Sequence, residues 1–171
     1  HPMYCMLIHK ALQVMSAMKA GGIIINNHTQ TGAQIRLQVE TLGRYFDFVH
    51  HEELLPRLAK KASKPFCLIT FDDGKKINAI EAAPELERLG VPAVFYVVSE
   101  FSYHDQPLWF DLYQALVKKR GAAPQSMSLK TLKRLPYAAM MKRLQLSCAE
   151  HEVTVDMSDP TIAPMSWDDV R

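Results

Sequence analysis

The chain has 171 residues, of which 48% are hydrophobic and 22% are charged, with a formal net charge of +2 at pH 7. These values are typical of one globular domain or part of a larger one, and no apolar run approaches the roughly 18 residues of a membrane span. The near-zero net charge gives no indication of a nucleic-acid partner. Cys5, Cys67 and Cys148 form no CxxC pair, which excludes a zinc ribbon and a thioredoxin-like motif.

The first half of the sequence alternates helical patterns with short apolar strands. Residues 4–20 are apolar at helical spacing and predict a helix that ends at Gly21. Strands are predicted at 23–25, 45–49, 66–71 and 91–98, and helices at 33–42, in one or two turns within 50–61, and at 77–90. Pro84 is expected to kink the last of these helices or to mark its first turn. The last two strands are apolar throughout and are joined by a helix, so they predict a βαβ unit of a parallel sheet that is covered on both faces.

The second half of the sequence breaks this alternation and is mainly helical. A helix is predicted over 107–121, a second one over 129–146 with an interruption near Pro136, and a strand or extended connection over 151–157. Ser166, followed three residues later by Asp169, indicates a capping box at the start of another helix. A helix cap is not expected without its helix, and the first residue is His1 rather than Met. We therefore expect the natural chain to extend beyond both ends, so the cellular compartment is not predicted.

Basic residues are concentrated in the segment 112–149, which contains no Asp or Glu. They are Lys118, Lys119, Arg120, Lys130, Lys133, Arg134, Lys142 and Arg143. Such a segment can contact phospholipid head groups or an anionic glycan, or it can be a solvated helical face whose acidic partners lie elsewhere in the fold.

Two adjacent carboxylates, Asp72 and Asp73, follow the apolar strand at 66–71 and precede Gly74. Parallel α/β proteins bind their ligands at this end of their strands. Two carboxylates that face one cavity repel each other unless a cation or a proton lies between them. One interpretation is therefore a divalent metal bound to one carboxylate, with the other as a general base. The alternative is a turn or a helix cap, because Asp-Gly is a strong turn signal.

The stretch LITFDDG, followed by a helix and then LGVPAVFYVV, closely resembles the polysaccharide deacetylase family, also called the NodB-homology domain. Residues 70–74 match the TFDDG signature of that family without deviation, and Val94 and Tyr96 replace two positions of its next strand conservatively. PLWFDLYQALVKK and PMSWDDVR are similar to a segment that some members carry before the next motif. The resemblance extends over about residues 24–171 and is most specific at 70–98.

This resemblance implies an α/β fold, namely an incomplete, deformed (β/α) barrel with parallel strands and a helical insertion. Residues 1–171 would form a partial deacetylase domain, with the first strands and the TFDDG motif in 22–108 and the insertion in 109–165. The implied activity is metal-dependent removal of acetyl groups from an amino-sugar polymer or glycan intermediate, so the expected partner is a carbohydrate. Asp72 would be the general base, and Asp73 would be a ligand of a divalent metal, expected to be zinc.

The family completes its metal site with two histidines in an H-[ST]-x-x-H motif, and this sequence lacks that motif. No two of its seven histidines are four residues apart, and Gly32 stands where a motif starting at His28 would need its second histidine. A catalytic zinc site needs three protein ligands. We therefore expect an N-terminal fragment that is inactive by itself, with the histidines and the general acid beyond Arg171. The rival hypothesis is a non-catalytic relative that binds a glycan or an anionic lipid surface through the segment 112–149.

Five further side chains are expected to have surface or packing roles rather than a role in the site. His28 is expected to be a surface or capping residue, and His50 and His51 to be surface residues. Trp109 is spaced for core packing rather than for lining a glycan groove. Cys67 is expected to be a small buried hydrophobic residue.

Overall fold

The computed structural model describes residues 21–59, 64–104, 106–121 and 127–171, so the helix predicted at 4–20 lies outside the described residues. The elements, in chain order, are β1 (Gly22–Asn27), α1 (Gly32–Leu42), β2 (Asp47–Phe48), a 3₁₀ turn (His51–Glu53), α2 (Leu54–Ala59), β3 (Phe66–Phe71), a π turn (Asn78–Ala82) that runs into α3 (Ala83–Leu89), β4 (Ala93–Phe95), α4 (Ser99–His104), α5 (Trp109–Arg120), α6 (Leu129–Leu132), α7 (Tyr137–Glu150) and α8 (Trp167–Val170).

The four strands form one parallel sheet with β3 at its centre. β1 pairs with β3 along its whole length, from Gly22 opposite Phe66 to Asn27 opposite Phe71. On the other side of β3, β2 pairs with the first residues and β4 with the last three. The predicted α/β architecture with a parallel sheet and helices is confirmed, while its barrel character stays a prediction.

Every residue of β3 is buried, as predicted for a strand covered on both faces. Cys67, Ile69 and Phe71 belong to a core that also contains Ile35 of α1 and Leu86 of α3. Phe66 and Leu68 of β3 pack with Val49 in a second, smaller cluster. Burial of each such side chain stabilises the fold by about 1.5–3 kcal/mol, so the sheet positions the end of β3 firmly.

β4 is shorter than predicted, with three residues instead of eight. The chain leaves the sheet after Phe95 and enters α4 at Ser99. Tyr96 and Val98 are consequently exposed, although their apolar side chains suggested a longer strand.

The helical second half has its own apolar core, formed by α5, α6 and α7. Leu116, Leu132 and Leu144 are fully buried there. The predicted interruption is confirmed, because α6 ends before Pro136 and α7 begins directly after it. The strand considered for 151–157 is not present in this structure; the segment instead runs through turns and extended backbone.

Three predicted helix signals are confirmed. Pro84 lies in the first turn of α3, and Gly90 ends that helix in a left-handed conformation at φ 64°. The Ser166 hydroxyl accepts a hydrogen bond from the Asp169 N–H at 3.2 Å, and the Asp169 carboxylate accepts one from the Ser166 N–H at 2.7 Å. This is the predicted capping box of α8.

Candidate active site

The turn that carries both carboxylates begins where β3 ends. The Asp72 N–H donates to the carbonyl of Asn27 at 2.9 Å, which continues the pairing of β3 with β1 by one residue. The next two residues, Asp73 and Gly74, have positive φ angles of 72° and 61°. This left-handed pair turns the chain out of the sheet. An aspartate tolerates that conformation better than most residues, because its short polar side chain can bond locally.

A side chain at position 74 is disfavoured both by the positive φ angle and by contact with a neighbouring residue. A Cβ atom added there would lie 3.0 Å from Cγ1 and 3.1 Å from Cα of Val97. The residues that follow bond to the C-terminal segment: the Met165 N–H donates to the Gly74 carbonyl at 2.8 Å, and the Lys76 N–H donates to Ala163 at 2.9 Å. The turn is therefore fixed on two sides.

Asp72 is half-buried beside the end of β1. Its carboxylate accepts a hydrogen bond from the side-chain amide of Asn26 at 2.7 Å. The oxygen of that amide accepts from the Thr70 hydroxyl at 3.3 Å. The helical segment that follows begins with Lys76 and Ile77, whose N–H groups donate to the carbonyls of Ala163 and Pro160 rather than to Asp72. A turn is present, as the alternative interpretation proposed, but the Asp72 carboxylate is not used to close it.

Asp73 lines an open cleft of about 1430 Å³ between the end of the sheet and the helical half. His28, Trp109 and Phe110 line the same cleft, whereas Asp72 is not among its lining residues. The two adjacent carboxylates therefore lie in different surroundings. Asp73 lines the cleft, whereas Asp72 lies beside Asn26. Trp109 packs against the helical core, as predicted, and it also lines the cleft.

A buried ion pair beside this turn was not found by sequence reasoning. The Lys75 ammonium donates to the Asp111 carboxylate of α5 and, at 3.1 Å, to the Ile162 carbonyl. It also lies 5.4 Å from the ring centroid of Phe101 and 5.2 Å from that of Phe110. Burial raises the pKa of the Asp111 carboxyl, and the charge of Lys75 opposes that rise. A lysine that follows a strand end usually lies in solvent, and no sequence signal pairs it with an acid 36 residues later.

His28 is exposed, as expected for a surface residue, and it also lines the cleft. Its loop is held by Asn78, which is completely buried and donates its side-chain amide to the His28 carbonyl at 2.6 Å. His50 and His51 are exposed, as predicted. Cys67 is buried, as predicted, and burial raises the pKa of its thiol to about 12.

The described residues do not fit a complete zinc site. Within the described ranges, no group of three His, Cys, Asp or Glu side chains is arranged to hold a metal ion. Asp73 and His28 share the cleft, but a catalytic zinc needs three protein ligands and an open position. The two carboxylates by themselves are therefore expected to bind zinc weakly.

Three of the eight basic residues in the segment 112–149 line the cleft, namely Lys118, Lys119 and Lys133. The other five basic residues of the segment do not line it. None of the helices in the described part of the chain has the length and apolarity needed to cross a bilayer.

No family model and no curated protein matches this sequence. Among solved structures, IcaB from Ammonifex degensii matches at 16% sequence identity with a TM-score of 0.47, over 78% of this chain and 70% of that chain. This similarity is distant, and we therefore base the functional proposal on the residues of this chain.

Proposed function

We propose that this chain is part of a metal-dependent deacetylase that removes acetyl groups from an amino-sugar polymer or glycan intermediate by hydrolysing a carbon–nitrogen bond that is not a peptide bond. The observation that carries the proposal is the position of Asp73. It follows a fully buried parallel strand, within the TFDDG signature, and lines an open cleft. Carboxyl ends of parallel strands are the usual location of ligand sites in α/β proteins.

Asp72 is proposed as the general base. Its carboxylate is oriented by the Asn26 amide at 2.7 Å and is half-buried. A positioned carboxylate can take a proton from water within hydrogen-bond reach, and such proton transfer contributes roughly 10²–10⁴-fold to a rate. Asn26 would hold Asp72 in place by occupying one of its oxygen atoms and leaving the other for water.

Asp73 is proposed as one ligand of the metal, which would be zinc. Since the described residues offer no three-ligand set, the two histidines that the family resemblance implies would have to come from outside this sequence. The 171-residue chain is accordingly expected to bind zinc weakly and to release no acetate.

The test compares this chain with the natural full-length protein that contains it. Zinc binding is measured by competition with a colorimetric chelator, and acetate release is measured on N-acetylglucosamine oligomers. We expect tight binding at one zinc per protein and acetate release from the full-length protein, and neither from the 171-residue chain. Tight zinc binding by the 171-residue chain would contradict the claim that it lacks two of the metal ligands. A full-length protein that binds no metal and releases no acetate would contradict the proposed function.

A further inference from the structure

Lys118, Lys119 and Lys133 of the basic segment line the cleft. Lys118 and Lys119 lie in the last turn of α5, and Lys133 directly follows α6. All three are exposed, and no salt bridge between described residues involves them. They are therefore cations that face the cleft without an acidic partner.

These cations are spread along α5. The ammonium of Lys133 lies 5.9 Å from the ring centroid of Trp109, the first residue of the helix. Lys118 is nine residues further on, which corresponds to roughly 14 Å at the rise of an α-helix. This spacing along the helix favours a ligand longer than a single sugar unit, as a polymer is.

The cleft also contains acids, so its walls carry both signs of charge. Asp73, Asp111, Glu152 and Asp156 line it. Asp111 is paired with Lys75, and Asp156 accepts hydrogen bonds from the N–H and hydroxyl of Ser158 at 2.9 and 2.6 Å. Asp73 and Glu152 form no salt bridge between described residues. A purely anionic surface such as a phospholipid membrane would meet these two carboxylates as well as the lysines.

We propose that the cleft binds an acidic amino-sugar glycan, whose repeating unit carries a carboxylate or a phosphate, and that Lys118, Lys119 and Lys133 contact its anionic groups. The amino-sugar part rests on the proposed function, in which the substrate is an acetylated amino-sugar polymer. The anionic part rests on the three lysines alone.

The experiment measures binding by the 171-residue chain rather than catalysis. The probes are an oligosaccharide of alternating glucuronate and N-acetylglucosamine, a poly(N-acetylglucosamine phosphate), a neutral N-acetylglucosamine oligomer of the same length, and phosphatidylglycerol vesicles. The variant replaces Lys118, Lys119 and Lys133 by Gln. Its matched control replaces Lys130, Arg134 and Lys142 by Gln, because these are exposed cations of the same segment outside the cleft.

We expect at least one acidic oligosaccharide to bind more tightly than the neutral oligomer, and the cleft variant to weaken that binding by roughly 3- to 100-fold, as three solvent-exposed ion pairs predict. The control variant is expected to bind as the unmodified chain does, and added salt to weaken the binding. The two acidic probes distinguish carboxylate from phosphate. Circular dichroism of both variants checks that they fold.

Four results would overturn the proposal: equal binding of neutral and acidic oligomers, equal loss in the control variant, no glycan binding, or binding to vesicles that depends on the three cleft lysines. The outcome is separable from the proposed function. If the three lysines are needed for binding but the full-length protein releases no acetate, this inference stands and the deacetylase proposal fails. If the full-length protein releases acetate and any of the four results above is found, the deacetylase proposal stands and this inference fails.

Discussion

The sheet region (residues 22–104) and the helical region (residues 109–150) each have an apolar core of their own. The first has its core around β3, and the second has its core around Leu116 and Leu144. The Asp73 turn of the sheet region is bonded to residues 160–165, which belong to neither region. The buried Lys75–Asp111 pair lies at the junction of the two regions, beside the rings of Phe101 and Phe110. The candidate site is located at that junction.

The largest effect is expected from breaking the junction at Asp111. Asp111→Ala leaves the Lys75 ammonium buried without a counter-charge, since the Lys75 side chain is only 2% exposed. Removal of one partner of a buried pair costs about 3–5 kcal/mol. Urea denaturation, followed by circular dichroism, measures the change in the free energy of unfolding.

A double variant, Lys75→Met with Asp111→Leu, is the control for this prediction. It replaces the pair by apolar side chains of similar volume, and such replacements are often neutral or stabilising. If the single and the double variant lose the same stability, the cost does not come from an unpaired buried charge.

A smaller effect is expected from the turn itself, where two glycines of the sheet region can be compared. Gly74 and Gly90 have nearly the same φ angle, 61° and 64°, but a Cβ at Gly74 meets Val97 and one at Gly90 meets nothing within 4 Å. Gly90→Ala should cost about 1–2 kcal/mol, which is the cost of a left-handed non-glycine residue. Gly74→Ala should cost a further 1–3 kcal/mol or so from overpacking. The melting temperatures of the two variants measure this difference. If both substitutions lower the melting temperature equally, Val97 moves aside without cost and the overpacking prediction is wrong.

The smallest effect is a pH dependence confined to the sheet region. Hydrogen bonds from Arg88 and Arg36 lower the pKa of Glu85 from its ordinary value of 4.5 to about 2. Because the folded-state pKa is depressed, the stabilisation is complete above pH 4.5 and is lost as the pH falls from 4.5 towards 2. The urea midpoint of the unmodified chain should therefore exceed that of Glu85→Gln at pH 6 and approach it near pH 2. Glu87→Gln, on the exposed face of the same helix, is the control. The difference in urea midpoint between it and the unmodified chain should not fall between pH 6 and pH 2.

Sequence patterns predicted the elements that local signals specify, and failed where distant contacts decide. The fully buried β3, the break at Pro136 and the capping box of α8 were read from periodicity and capping residues. The early end of β4 was not predicted, because the apolar side chains of Tyr96 and Val98 suggested a longer strand. These residues are exposed because the chain leaves the sheet after Phe95.

The candidate site was predicted in part for the same reason. The position of Asp73 at a strand end follows from the sequence, and the structure adds the cleft that it lines. The pairing of Lys75 with Asp111 depends on how the helical region packs against the turn, and so does the choice of three lysines out of eight basic residues that reach the cleft. No periodicity within either region encodes these contacts.

The most direct test of the central claim is the rate of acetate release by the proposed full-length deacetylase that carries Asp73→Asn, with Asp168→Asn as its matched control. Asp168 is an acid of the same chain whose side chain is 90% exposed. If Asp73 is the metal ligand that we propose, its substitution should lower the rate by at least the roughly 10- to 100-fold that loss of an outer-shell partner of a metal costs, while Asp168→Asn leaves the rate unchanged. A full-length Asp73→Asn protein that folds and releases acetate at the unmodified rate would contradict the claim.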